Sequence, residues 1–227
     1  MSNSVSVVVE TTPLPIIANV SRVVTKVVDR ITGDRGDYPL LVAAACVEAL
    51  KKFGIESRVM YGQVGWIEIL EDMAPIWAGC WGQNFHFWVA TQYGEVVDLN
   101  TSVAHRKISH ANPQFKPLYS PPMLWSVEVP PIYRYLPEGV AELDLTEERD
   151  QKRFETVLQE ISEKCIPAAI VNQSVDDLEF PNEPILCPGR RVLDDSKESF
   201  RHYDRALGIF GIPSPPDVLK AGEHTHA

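Results

Sequence analysis

The chain is predicted to be an α+β protein, with helices packed on one face of an antiparallel sheet. Three observations predict this. Two apolar stripes at helical spacing lie between Pro15 and Phe53. Four short alternating segments follow between Glu56 and Leu99. A Tyr93-Gly94 turn joins the last two of these segments into a hairpin.

The first helix is expected over Pro15 to Thr32. Ile16, Ile17, Val20, Val23, Val24, Val27, Val28 and Ile31 recur at three- and four-residue steps, with Arg22, Lys26, Asp29 and Arg30 opposite. Pro15 suits a first turn, and Gly33-Asp34-Arg35-Gly36-Asp37 supplies turn chemistry after it. A second helix follows from Pro39 to Phe53, with Val42, Cys46, Ala49, Leu50 and Phe53 on the buried side. Its solvent stripe is Glu48, Lys51 and Lys52, and Gly54 closes it. The run Ala43-Ala44-Ala45 permits close packing.

Strands are expected at Glu56–Gln63, Trp66–Leu70, Phe85–Thr91 and Glu95–Leu99, with Trp77 to Gly82 as a loop. Beyond Asn100 the texture changes. Residues Asn112 to Pro137 are rich in proline and read as an irregular wrap with one edge strand at Leu124–Val129. Thr146 to Lys164 reads as a helix lined by Phe154, Val157, Leu158 and Ile161. A last helix is expected near Asp195–Phe210. No segment beyond Asn100 offers enough elements to bury a core of its own. Residues 1–227 are therefore read as a single domain: a core over about 15–101, a wrapping extension over about 102–221 and a loose tail at 222–227. Trp125, Tyr133 and Tyr135 are expected to pack over the sheet or over the rim of the site.

Composition narrows the function. An apolar fraction of 44% and a charged fraction of 23% are ordinary for a globular domain. The net charge of -10 and the lack of a basic stripe disfavour nucleic acid and anionic membrane as partners. The valine run Val5, Val7, Val8, Val9 has no basic residues before it and is too short for a signal or a span, so a cytoplasmic location is expected. Cys46, Cys80, Cys165 and Cys187 are widely spaced, which predicts free thiols rather than zinc ligands or a disulfide framework. A metal site would need His86, Asp98 and His105 or His110, and no HxH or HxxxH spacing supports one. No metal and no cofactor is expected.

The residues that carry chemistry are His86 and Asp98. Each lies on one arm of the hairpin, nearly equidistant from Tyr93-Gly94 and on a common face by parity. A carboxylate beside an imidazole fixes its tautomer and stabilises its protonated form, the base half of a nucleophilic triad. The bland alternative is a half-buried strand histidine and a strand-end aspartate with no relation to each other.

The order of elements resembles the transglutaminase-like family and its papain-like relatives. The residues that carry the resemblance are Phe53-Gly54-Ile55-Glu56-Ser57-Arg58-Val59, His86-Phe87-Trp88-Val89 and Val97-Asp98-Leu99-Asn100-Thr101. It covers about 70 residues, Ile31 to Thr101. The resemblance implies a Cys-His-Asp triad in which a thiolate attacks an acyl carbon, with His86 and Asp98 as the family histidine and aspartate. The family nucleophile stands at the start of the core helix, where this chain has Asp37, Tyr38 and Pro39. The nearest thiol, Cys46, lies about two turns further in on the apolar face, where a cysteine is usually inert. Cys80, flanked by Gly79 and Trp81 before the His86 strand, is the other candidate, and Gln83 or Asn84 is a weak candidate oxyanion donor. Two functions follow: thiol-dependent amide hydrolysis or acyl transfer on a peptide, protein or small acyl substrate, or a catalytically silent member of the fold that binds a peptide or protein.

Overall fold

The computed structural model describes residues 10–82, 84–108, 117–119, 121–142, 148–167, 174, 177–187, 190–192 and 198–220. The valine run at 5–9, Gln83, His110, residues 112–116, the helix opening at Thr146-Glu147, Asp195 and the tail at 222–227 lie outside the described residues, as does the side chain of His105.

The protein is α+β. Helix α1 spans Leu14–Thr32 and α2 spans Pro39–Lys52, each with proline in its first turn. Helix α1 buries Ile17, Val20, Val24, Val27 and Val28, one face of its valine repeat. Helix α2 is buried further round its circumference: Leu41 to Cys46, Ala49 and Leu50 are all enclosed. Its alanines make that possible, because α1, the sheet and helix α4 (Glu148–Lys164) all pack against it. Phe154, Val157 and Ile161 of α4 close this layer.

The sheet holds nine strands among the described residues. They are β1 Ser57–Leu70, β2 Pro75–Cys80, β3 His86–Thr91, β4 Val96–Asp98, β5 Pro117–Tyr119, β6 Met123–Ser126, β7 Tyr133–Val140, β8 Ile185–Cys187 and β9 Arg190–Val192. The order β2-β1-β3-β4-β6-β8-β9 is antiparallel except for the parallel pair β6–β8, and β5 and β7 add to β1. Helices α3 (Thr101–Ile108) and α5 (Glu198–Phe210) complete the elements.

Strand β1 organises the sheet. The two strands expected at Glu56–Gln63 and Trp66–Leu70 are one strand of 14 residues. Gly62 does not break it, because β7 passes so close that a Cβ there would lie 2.1 Å from the Leu136 carbonyl oxygen. The first half of β1 pairs with β3 (Gly62 with His86) and the second half with β2 (Val64 with Cys80), while β7 runs along the other edge. The segment expected as a loop at Trp77–Gly82 therefore lies mostly in β2, and Cys80 is a strand residue.

The sheet is strongly curled. From β7 to β4 is three strand steps, about 14 Å at roughly 4.8 Å per step in a flat sheet. Yet the Tyr135 hydroxyl of β7 lies 2.9 Å from Asp98 of β4. Only a rolled sheet brings those faces together. The proline-rich extension is what closes the roll. Strand β6 is not the edge strand expected at Leu124–Val129. It lies between β4 and β8, with Pro121-Pro122 and Pro130-Pro131 outside it, where their missing N–H groups break no ladder bond.

A candidate thiol–imidazole–carboxylate site

Alternation along β3 and β4 separates two environments. Val89, Val97 and, less completely, Phe87 join the helical core with Leu50, Ala45 and Trp125. The residues between them point into the curl, beside a second cluster of Val64, Trp66, Leu124, Tyr133 and Tyr135. His86, Trp88 and Asp98 are on that inner face.

The hairpin register pairs Val89 with Val97 and Ala90 with Val96. Asp98 therefore stands directly across from Trp88, and His86 is its diagonal neighbour, within reach of a long side chain. His86 Nε2 and Asp98 Oδ2 are 2.8 Å apart, and the two residues are 2% and 1% exposed. Tyr135 donates its hydroxyl to the same oxygen at 2.9 Å, and the Asn100 backbone N–H donates to Asp98 Oδ1 at 3.0 Å. Three donors thus frame the carboxylate. Trp66 meets His86 edge-on at 6.1 Å between ring centres, and Trp88 meets Tyr135 at 5.1 Å.

Cys80 completes the cluster. Its partner on β1 is Val64, and that of His86 is Gly62. Two residues apart on one strand means the same face, so the end of β2 and the start of β3 present thiol and imidazole side by side. Cys80 is half-buried and close enough to His86 to help hold the imidazole protonated. With Nε2 held by Asp98, Nδ1 is the ring nitrogen that Asp98 does not use. Burial works against a charged His86, but the Asp98 carboxylate, helped by Cys80, outweighs it and raises the imidazole to about 10. Burial and the Asp98 charge keep the Tyr135 phenol neutral.

Cys46 is elsewhere. It is 1% exposed inside the helical core, on the opposite face of the sheet, and burial together with neighbouring Cys165 pushes its thiol far above the ordinary range. Helix α2 starts at Pro39, so Cys46 is well inside it and away from the dipole end. Asp37 and Tyr38 do not face His86 either. They line an apolar pocket of about 330 Å³ with Leu40, Leu41, Phe87 and Phe154 on the helical side. The structure thus brings together His86, Asp98 and Cys80 and sets Cys46 apart.

Sequence reasoning placed Tyr135 over the sheet or at the rim. It belongs to a strand and binds Asp98 itself, while Trp125 faces the helices. The Tyr133-x-Tyr135 alternation is a strand signal, masked by Pro130, Pro131 and Pro137 around it. Among the described residues no group of three or more His, Cys, Asp or Glu is arranged to hold a metal, and no helix is long and apolar enough to cross a membrane.

No family model matches the chain, and no curated protein matches it. Among solved structures, a chain determined as a genomics target is similar at 10% identity and a TM-score of 0.44, over 78% of this chain and 96% of that one.

Proposed function

We propose that this protein is a thiol-dependent acyl-transfer or amide-hydrolysing enzyme of the transglutaminase-like or papain-like kind, with Cys80 rather than Cys46 as its nucleophile. The observation that carries the reading is the meeting of Cys80, His86 and Asp98 in one cluster, with the His86–Asp98 bond at 2.8 Å. A raised imidazole beside a thiol favours the thiolate–imidazolium pair, the reactive form of a nucleophilic cysteine.

The Cys80 thiolate forms a bond to the acyl carbon, and the carbonyl electron pair moves to oxygen. That pair returns, the carbon–nitrogen bond breaks, and the amine leaves with the proton from His86. The thioester is then attacked by water or by a second amine. His86 takes the incoming proton and the thiolate is released. Asp98 is a positioning residue that holds the ring through Nε2. Because His86 is 2% exposed, an acyl group has to approach from the side of Cys80, Trp81 and Phe85, where Phe85 is 44% exposed.

A second reading is favoured by the apolar pocket at the start of α2. A silent member of the same fold would bind a peptide's apolar side chain there, beside Tyr38, Phe87 and Phe154.

Iodoacetamide labelling mapped by mass spectrometry, with p-nitrophenyl acetate as acyl donor, decides between them. Cys80 is expected to alkylate far faster than Cys46, Cys165 or Cys187 and to carry the acetyl group after a burst. Uniformly slow labelling of all four thiols would overturn the enzyme reading.

A further inference from the structure

Arg35 lies in the stretch that joins α1 to α2, where an arginine is ordinarily solvated, yet it is 1% exposed. Asp34 accepts from the Gly36 N–H and caps a single 3-10 turn, Arg35–Asp37, which packs against α3. The guanidinium is fully engaged. Nη1 pairs with Asp29 Oδ2, and Nη2 reaches Ser102 Oγ and Glu183 Oε1, each at 3.1 Å. The two carboxylates compensate the buried charge. They leave Nε to a different partner, the Leu99 carbonyl oxygen at 3.2 Å.

Leu99 follows Asp98, and its carbonyl belongs to the same peptide group as the Asn100 N–H. This peptide is trans, so the group is rigid and planar, with its C=O and N–H directed to opposite sides. On one side Arg35 Nε holds the oxygen. On the other side the N–H donates to Asp98 Oδ1 at 3.0 Å, while Asp98 Oδ2 holds His86 at 2.8 Å. A single peptide plane thus stands between the buried guanidinium and the carboxylate that orients the imidazole. Turning that plane about its Cα–Cα axis would break both bonds at once. We propose that Arg35 is a positioning residue of the Cys80 site: by fixing the Leu99–Asn100 peptide it aims the Asn100 N–H at Asp98 and keeps that carboxylate turned to His86. This deepens the thiol reading above and rests on it for the effect at Cys80. Polarisation adds to the geometry, because a donor on the carbonyl oxygen strengthens the bond given by the N–H of the same peptide. Lysine does not replace such a group, since an ammonium lacks the planar fork that reaches Leu99, Ser102 and two carboxylates together.

Arg35→Lys separates this role from a purely structural one. The readout is the proton between His86 Nε2 and Asp98 Oδ2, a downfield line in the proton NMR spectrum of the folded protein whose position reports the strength of that bond. The variant is expected to move the line upfield and to slow iodoacetamide alkylation of Cys80 about 3- to 10-fold, the worth of one hydrogen bond. Glu183→Gln is the control. It weakens an ion pair of the same guanidinium and lowers the melting temperature, but it leaves the Nε bond to Leu99 in place. The bridging proton and the alkylation rate should therefore stay where they are. An unmoved bridging proton in Arg35→Lys, or equal movement in both variants, would show a guanidinium that serves only the fold and would overturn the proposal. If Arg35→Lys does not fold, Asp98→Asn reads the same link from the other end: the Arg35 Nε–H resonance should shift together with that of the Asn100 N–H, and an Arg35 resonance that stays put overturns the proposal. If Cys80 of the unmutated protein labels no faster than Cys46, the enzyme reading has failed, and the bridging proton still decides whether Arg35 positions Asp98.

Discussion

The two faces of the sheet treat the same residue type in opposite ways. On the helical face, Cys46 sits in the apolar core with Val24, Leu50 and Ala45, and burial, with smaller contributions from Cys165, Glu95 and Asp98, pushes its thiol up. On the inner face, Cys80 shares a strand end with an imidazole that is itself held by a carboxylate. The helical face is made from residues with few polar demands. The inner face carries His86, Asp98, Tyr133 and Tyr135, with Thr101 of α3 bonded beside them, and their polar atoms find partners within the roll: the Pro122 carbonyl accepts from both Thr101 and Tyr133 at 2.6 Å. The two thiols therefore differ both in burial and in company: Cys46 is enclosed among apolar side chains, and Cys80 is half-buried beside an imidazole that the curled sheet brings to a carboxylate.

The comparison breaks most sharply at the thiols. His86→Ala or Cys80→Ala is expected to lower acyl transfer by at least about 10²–10⁴-fold, the range for loss of a positioned base. Cys46→Ala is expected to leave the rate within about twofold and to cost about 1 kcal/mol of stability for the lost buried volume. Burst kinetics and urea unfolding read the two effects separately. Loss of the burst in Cys46→Ala would reverse the assignment.

A second break tests the strand that carries Cys80. Gly79 has φ 150°, and a Cβ there would lie 2.1 Å from the Val64 carbonyl oxygen and 2.8 Å from Gly65 Cα. Both obstacles are backbone and cannot swing aside. Gly79→Ala should therefore cost about 1–3 kcal/mol and push Cys80 off the imidazole. Labelling of Cys80 then falls toward that of the helical cysteines, whereas the helical core keeps its near-ultraviolet signature.

Much of this was legible before the structure, and the limits have physical causes. The hairpin put His86 and Asp98 within reach because a short turn fixes register and parity locally. The helices were legible because valine and alanine repeats report burial at helical period. Cys80 was harder to place. Its strand pairs with the part of β1 that follows Gly62 and contains Gly65, and glycines inside a strand read as breaks until the atoms that crowd them are seen. Tyr135 was harder still, since its bond to Asp98 depends on curl accumulated over four strands, which no window of sequence contains. The family resemblance led to the start of α2, but that helix lies on the face opposite His86.

A pH series sharpens the contrast further. His86 is raised from 6.5 to about 10 by Asp98 and Cys80 against the opposing effect of burial. A group raised on folding contributes its full stabilisation below the unfolded value and loses it as pH climbs through the folded one. The stability advantage of the protein over His86→Gln should accordingly be constant below about 6.5 and shrink between there and about 10. Urea unfolding across that window reads it. An advantage that grows with pH would mean a neutral His86.

The smallest effect is expected at Tyr135. Tyr135→Phe keeps the ring that meets Trp88 and Tyr133 and removes only the donor to Asp98 Oδ2. Asp98 retains His86 and the Asn100 N–H, so the carboxylate is left with fewer donors but not stranded. The loss is expected to be about 0.5–1.5 kcal/mol in unfolding free energy, and Cys80 labelling should slow by less than about tenfold. The sign of the histidine shift is the sharper readout. The phenol disperses the carboxylate charge, and without it that charge falls more fully on His86, which should hold its proton to a higher pH. The Hε1 resonance of His86 followed against pH would show the midpoint move upward. A downward move would mean that Tyr135 orders the His86–Asp98 bond more than it competes with it. A complete loss of Cys80 reactivity would place the hydroxyl in the chemistry itself, and the inner face would then need four groups where three are assigned.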